Sequence, residues 1–215
     1  MSDHVPHTLF ATGLCKRLGG RLVLDRVDLT IDAPGSIALC GENGAGKSTC
    51  LRILAGVIAA DEGALLFDGD PLDEDNRRAR RHLGYVPESA DPMPHLSVGE
   101  LLALVAALKR APPLAGEVID RLGARSILSQ RIGTLSLGQR RRACLCAALV
   151  GDPWLLLLDE PTNGLDPDGV KLLAELLREH AGRGGAALVA THDLAFAEVI
   201  GARTWKLASG RLQVS

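Results

Sequence analysis

The first third of the chain alternates apolar and polar residues in a strand-like way. Thr8-Leu9-Phe10-Ala11-Thr12 and Val23 to Ile31 read as β-rich alternation, and Gly63 to Gly69 adds another strand bounded by glycines. Period-two alternation suits strands with one solvated face, so these runs predict a small antiparallel sheet. Elsewhere the pattern changes. Residues 36 to 60 and 150 to 201 alternate short apolar runs (Ser36 to Cys40, Trp154 to Leu158, Ala186 to Ala190) with amphipathic helices. Runs that apolar belong in a parallel sheet covered on both faces, and Trp154 to Leu158 is expected at its centre.

Between these regions, residues 88 to 134 read as helical. Ser97-Val98-Gly99-Glu100 is a capping box ahead of Leu101 to Leu108, Pro112-Pro113 ends that helix, and a second helix fits Gly116 to Leu122. Another helix starts at Ser136 and runs through Val150 to Gly151 and Pro153. A further one is headed by Asp166 as N-cap with Pro167 in the first helical position. No repeat or low-complexity linker interrupts the pattern. The expectation is one α/β domain over residues 1–215. Residues 1–87 and 135–215 form a catalytic body with a mostly parallel central sheet and an N-terminal antiparallel β subdomain, and 88–134 form an inserted α-helical subdomain.

Between the Ser36 to Cys40 strand and the helix that Gly56 stops lies Gly41-Glu42-Asn43-Gly44-Ala45-Gly46-Lys47-Ser48-Thr49. It fits G-x-x-x-x-G-K-[ST]. Glycines let the backbone N–H groups converge on phosphate oxygens, Lys47 supplies a point charge to the β and γ phosphates, and Ser48 offers a hydroxyl to Mg²⁺. The start of the following helix adds partial positive charge. This is a P-loop NTPase pattern.

Downstream, the strand ending at Leu158 delivers Asp159 and Glu160 to the carboxyl edge of the sheet, where ligands of open α/β sheets bind. Asp159 can hold the metal directly or through water, while Glu160 faces the space for an attacking water. The Ala186 to Ala190 strand delivers His192 to the same edge. His4, His7, His82, His95 and His180 read instead as tail, loop or exposed helix positions. The helix start at Ser136-Leu137-Gly138-Gln139 is a second anion site in a chain that already has one. That redundancy suggests that it serves a neighbouring copy, two copies facing head to tail. Most of Arg140-Arg141-Arg142 reads as solvated face, and Arg77-Arg78-Ala79-Arg80-Arg81 as surface loop.

Composition narrows the classes. The 215 residues are 47% hydrophobic, enough for a full core, and no stretch approaches a membrane span. The start, Met1-Ser2-Asp3-His4, has no signal-peptide character, so a cytoplasmic location is expected. A net charge of −2 and 3% aromatic content argue against direct nucleic-acid binding. The five cysteines match no zinc spacing and read as small buried thiols; nothing supports a redox role for Cys50 beside the phosphate loop.

Taken in order, these motifs resemble the ATP-binding cassette family, the nucleotide-binding subunits of ABC transporters. The family's Walker A loop is matched by Gly41 to Thr49, its Q-loop by Gly84 to Glu88, and its signature by Leu135 to Gln139. Walker B is matched by Leu155 to Asp159 with Glu160, the D-loop by Asn163 to Asp166, and the switch histidine by His192. The resemblance implies a head-to-tail dimer closing on two ATP molecules, each held by Asn43 to Thr49 of one subunit and by Ser136, Gly138 and Gln139 of the other, with Asp166 at the dimer contact. It also implies Mg²⁺ on Ser48, Asp159 and Glu88, a water polarised by Glu160, and His192 at the γ phosphate. A separate integral membrane permease is implied, met through the helical segment and the Glu88 region, with the subunit peripheral on the inner face of the membrane. The short length and the end at Leu212 to Ser215 fit a bacterial exporter-type subunit. Iron–sulfur assembly ATPases and nucleotide switches without turnover are the rivals. Three positions depart from the family pattern: Glu88 where glutamine is common, Leu137 where glycine is usual, and Leu18 where an aromatic commonly stacks on adenine.

Overall fold

The computed structural model describes residues 7–72, 76–89 and 92–214; Met1 to His4, read above as a start without signal character, lie outside them. Two sheets form. The antiparallel one joins β1 (Leu9–Leu18), β2 (Arg21–Ile31), β4 (Glu62–Phe67) and the short β5 (Asp70–Pro71) in the order β2-β1-β4-β5. The second has six strands in the order β10-β9-β3-β8-β7-β6, built from β3 (Gly35–Cys40), β6 (Leu83–Val86), β7 (Leu155–Asp159), β8 (Ala186–Ala190), β9 (Arg203–Ala208) and β10 (Arg211–Val214). All neighbours in it are parallel except the β9–β10 hairpin.

The helices are α1 (Lys47–Leu54), α2 (Arg77–Arg81), α3 (Val98–Lys109), α4 (Gly116–Arg121), α5 (Leu137–Leu149), α6 (Pro167–Gly182) and α7 (Leu194–Val199). None is long and apolar enough to cross a membrane. Ser97 and Glu100 make the expected reciprocal capping box on α3. The α6 start also follows expectation: Asp166 Oδ1 accepts from the Gly169 N–H at 3.0 Å, with Pro167 in the first turn.

Side chains along the parallel sheet divide between two cores. Leu155 and Leu157 of β7 face a core shared with the antiparallel sheet and α1, while Leu156 and Leu158 face one shared with α3, α5 and α6. This is why the strand reads as a continuous apolar run. It is an interior strand but not the central one, since β6 lies outside it and β3 and β8 hold the middle.

Three readings are corrected, those of His180, Arg77–Arg81 and Arg141. His180 is 4% exposed, on the α6 face that also carries Leu173 and Leu177, and its Nε2 meets the carbonyls of Trp154 and Ala186 at 3.1 and 3.2 Å. His7 and His82 lie in loop and turn as expected, and there they form a ring cluster with Phe67 and Trp154. The run Arg77–Arg81 is a helix, capped by Asn76, with Arg80 Nη2 donating to Gly56 O at 3.2 Å. Arg141 is wholly buried. Cys50 is buried as well, and burial pushes its thiol up to about 12, which removes it from thiolate chemistry at neutral pH.

Candidate functional site

The phosphate loop joins β3 to α1. Gly44 and Gly46 have φ of +79° and +106°, so two residues of the loop need glycine's freedom. Gly46 has a second reason: a Cβ there would sit 2.9 Å from Val23 O and 3.1 Å from carbons of Val23 and Leu24. The loop therefore packs directly on β2. Lys47, 7% exposed, folds back over the loop, and its Nζ donates to the carbonyls of Gly41 and Glu42 at 2.9 and 3.2 Å. An ammonium has three donors, so this anchoring leaves one for a phosphate oxygen.

A cavity of about 400 Å³ opens over this loop, lined by Leu18, Val23, Asn43, Gly44, Gly46, Lys47, Ser48, Thr49, Glu88 and Glu160. Ala45 faces a neighbouring hollow on the other side of the loop, beside Lys206 to Gly210. Leu18, at the rim, is 43% exposed and offers an aliphatic contact without an aromatic face.

Asp159 is 2% exposed, and its Oδ1 has no hydrogen-bond partner. Burial pushes its carboxyl above the usual range, against a hydrogen bond from Ser48, and the neighbouring Glu88 and Glu160 carboxylates push it further. A buried, unpartnered carboxylate oxygen next to a hydroxyl fits Mg²⁺, which takes one or two carboxylates together with substrate phosphates and water. Among the described residues no cluster of three or more His, Cys, Asp or Glu side chains forms a metal cage by itself. The phosphates would have to complete the coordination.

Glu160 follows at the strand end with φ of +44°, and its N–H donates to Ala190 O at 2.9 Å. That left-handed turn aims its side chain back across the sheet edge, where His192 Nδ1 lies 2.9 Å from Oε2. Glu160 is buried and His192 exposed, so the ring holds a largely desolvated carboxylate from the solvent side.

The signature residues are elsewhere on the surface. Ser136 is exposed, and its hydroxyl accepts from the Gln139 N–H at 3.3 Å while Gln139 Oε1 accepts from the Ser136 N–H at 2.9 Å. This second capping box gives both side chains a local task. Neither they nor Gly138 nor Asp166 lines the cavity over Lys47. Asp166 caps α6 and pairs with Arg142 at 3.0 Å, and the Gly169 N–H with Arg142 holds its carboxyl below the usual range. Leu137, 45% exposed, packs on Gly164.

Sequence reasoning missed Arg141. The signal was present: Arg141, Cys144, Leu145 and Ala148 share one helical face and all are buried, so the arginine stands where an apolar residue is ordinary.

A glycine-rich turn from a parallel strand into a helix, a lysine folded over it and a buried acid at the end of a nearby parallel strand define a P-loop nucleotide-binding protein. Comparison with known proteins narrows the class. A profile of the family described as ABC transporter matches residues 24–163. The chain is 34% identical over 192 residues to the cytochrome c biogenesis ATP-binding export protein CcmA of Nitrosococcus oceani, covering 89% of each chain. It is 35% identical over 201 residues to the Nod factor export ATP-binding protein I of Burkholderia lata, covering 91% of this chain but 66% of that protein. A solved structure of an ATP binding subunit of an ABC transporter superimposes with a TM-score of 0.87 at 27% identity, covering 96% of this chain and 89% of that one. The chain belongs to the ABC transporter family, as an ATP-binding subunit.

Proposed function

We propose that this subunit hydrolyses ATP to drive a separate membrane permease of an exporter, working as a head-to-tail pair. The observation that carries the reading is the group at one sheet edge: Lys47 over the phosphate loop, Asp159 with an unpartnered buried oxygen, and Glu160 held by His192. Asn43 to Thr49 would take the triphosphate. Ser48, Asp159 and Glu88 would hold Mg²⁺, which when bound neutralises charge between the phosphates. Glu160 accepts the proton of the attacking water, and His192 fixes the carboxylate's direction. Lys47 and the loop N–H groups offset the charge spread over the transferred phosphoryl.

The exposed start of α5, with Ser136, Gly138 and Gln139 outside the cavity, supports contribution to a partner's site and not to its own. Closure then follows from ATP bridging two positive helix starts, and reopening from loss of that bridge. The export direction rests on the printed names of the relatives in Nitrosococcus and Burkholderia. With a permease as partner, the subunit would sit at the inner face of the membrane.

The test is phosphate release by wild type beside Glu160→Gln, with the oligomeric state in ATP measured by light scattering. The expected result is loss of turnover with a gain of ATP-stabilised dimer. Equal rates would remove Glu160 from the chemistry, and a variant that stays monomeric in ATP would remove the paired site. Pull-down from solubilised membranes would recover an integral membrane protein; soluble scaffold proteins alone would favour the iron–sulfur assembly reading.

A further inference from the structure

Arg141 heads the largest side chains that solvent does not reach. A guanidinium out of water is tolerable only where carbonyl dipoles or nearby negative charge replace its hydration. Here its Nη1 donates to Pro87 O at 2.7 Å, its Nη2 to Glu88 O at 2.7 Å and its Nε to Asn163 O at 3.3 Å. Burial pushes its pKa down, and Asp159, Glu88 and Glu160 among its neighbours oppose that. All three hydrogen bonds go to main-chain oxygens of other segments, so what Arg141 fixes is backbone position.

Those segments frame the nucleotide cavity. Glu88 lines it beside Lys47 and Glu160. Asn163 closes the turn that begins at Glu160, its N–H donating to Glu160 O at 3.2 Å. The α5 start is pressed on the same turn, because a Cβ on Gly138 would sit 2.6 Å from Gly164 O. The helix that begins at Ser136, the Glu88 turn and the Glu160 to Gly164 turn are therefore one block, with the guanidinium at its centre.

We infer that Arg141 is a positioning residue that sets Glu88 and the Glu160 turn against Lys47, linking the orientation of α5 to the metal side of the ATP site. This rests on the ATPase reading above. Lysine keeps the charge but cannot present a rigid fork to two adjacent carbonyls and a third oxygen. In Arg141→Lys the Mg²⁺ concentration for half-maximal phosphate release is expected to rise about 5-fold or more and kcat to fall about 10-fold, while KM for ATP at saturating Mg²⁺ changes by less than about 2-fold. A residue needed only for folding would lower the melting temperature without moving the metal midpoint.

The second arm is a cycle with Glu88→Ala. If Arg141 acts by placing Glu88, the Mg²⁺ shift caused by Arg141→Lys disappears in that background; an undiminished shift overturns the inference. So does an Arg141→Lys protein with the wild-type midpoint and kcat. Should that variant fail to fold, hydrogen exchange on wild type decides: segments 87–89 and 162–165 should change protection together over one ATP–Mg²⁺ titration, and separate midpoints sink the block. An inactive wild type overturns the ATPase reading and this one with it, whereas an active wild type indifferent to Arg141 removes this inference alone.

Discussion

His192 gives the most direct test of how the site works. Replacing it with alanine removes the ring that meets Glu160 Oε2 at 2.9 Å. The Glu160 side chain is 8% exposed, and no other hydrogen bond of it is seen among the described residues, so its direction depends on that ring. A hydrogen bond to a charged group contributes about 1.5–3 kcal/mol, and about 1.4 kcal/mol is a factor of ten in rate. If all of it serves to aim the base, kcat falls by about 10- to 150-fold. The fold should lose only about 1 kcal/mol, because the ring is itself mostly exposed and its removal lets water reach the carboxylate. The resemblance to the cassette family assigns His192 to the γ phosphate, while the geometry gives it Glu160 as partner, and a double-mutant cycle separates the two. Glu160→Gln alone should cost about 10²- to 10⁴-fold as loss of a general base. Adding His192→Ala to it should then cost almost nothing more, since groups that act as a unit are not additive. The assay is steady-state phosphate release at saturating ATP and Mg²⁺, with a melting curve for each protein. If the double variant is slower than Glu160→Gln by the full factor seen for His192→Ala alone, the histidine acts independently of the carboxylate and the positioning argument fails.

Further expectations concern the loop, the acids and a buried lysine. Gly46→Ala places a side chain at φ +106° and 2.9 Å from Val23 O, which should cost about 2–4 kcal/mol and lower the melting temperature by about 5–15 °C; a fall under about 1 °C by calorimetry would refute the close approach. Glu88→Gln removes one of the carboxylates that crowd Asp159, so ATP measured by titration calorimetry without Mg²⁺ should bind about 3- to 10-fold tighter, and unchanged or weaker binding would show that Glu88 does not face the phosphates. Lys109 Nζ donates to Leu83 O and Val150 O at 2.8 and 2.9 Å, and burial pulls its pKa from 10.5 to about 8. Between those values the unfolded chain binds more protons than the folded one, so stability should rise with pH by up to roughly 3 kcal/mol relative to Lys109→Met, and parallel curves from pH 8 to 10.5 would contradict the burial.

What could be read from the residues alone follows the range of the forces involved. The phosphate loop, the Ser97 capping box and the Asp166-Pro167 helix start are local: each needs a few neighbouring side chains and backbone angles, and the structure keeps them at the stated positions. The apolar runs of β3, β7 and β8 were legible because both faces of a parallel sheet are covered. The β9–β10 hairpin was missed because in β9 buried Trp205 and Leu207 alternate with exposed Thr204 and Lys206, so it lacks the continuous apolar run that marks β3, β7 and β8. His180 and Arg141 were misread for a different reason. Their polarity suggested solvent, yet each stands in step with buried residues on its own helix, and what makes burial tolerable is a set of carbonyls from distant segments.

That last point bears on how the site is built. A polar side chain in an apolar register marks a place where backbone from elsewhere must arrive with its oxygens turned inward. His180 meets the carbonyls of Trp154 and Ala186, at the entry to β7 and the first residue of β8, and so fixes the ends of these strands opposite the edge that carries Asp159 and Glu160. Arg141 does the same at the edge that carries Asp159 and Glu160, with Pro87, Glu88 and Asn163. The strands that carry Asp159, Glu160 and His192 are thus pinned at one end by a buried imidazole and framed at the other by a buried guanidinium. The phosphate loop needs no such device, because glycine lets it pack on β2 directly. Substituting His180 should therefore cost stability and leave the metal dependence of turnover unchanged, whereas Arg141 should move the metal dependence.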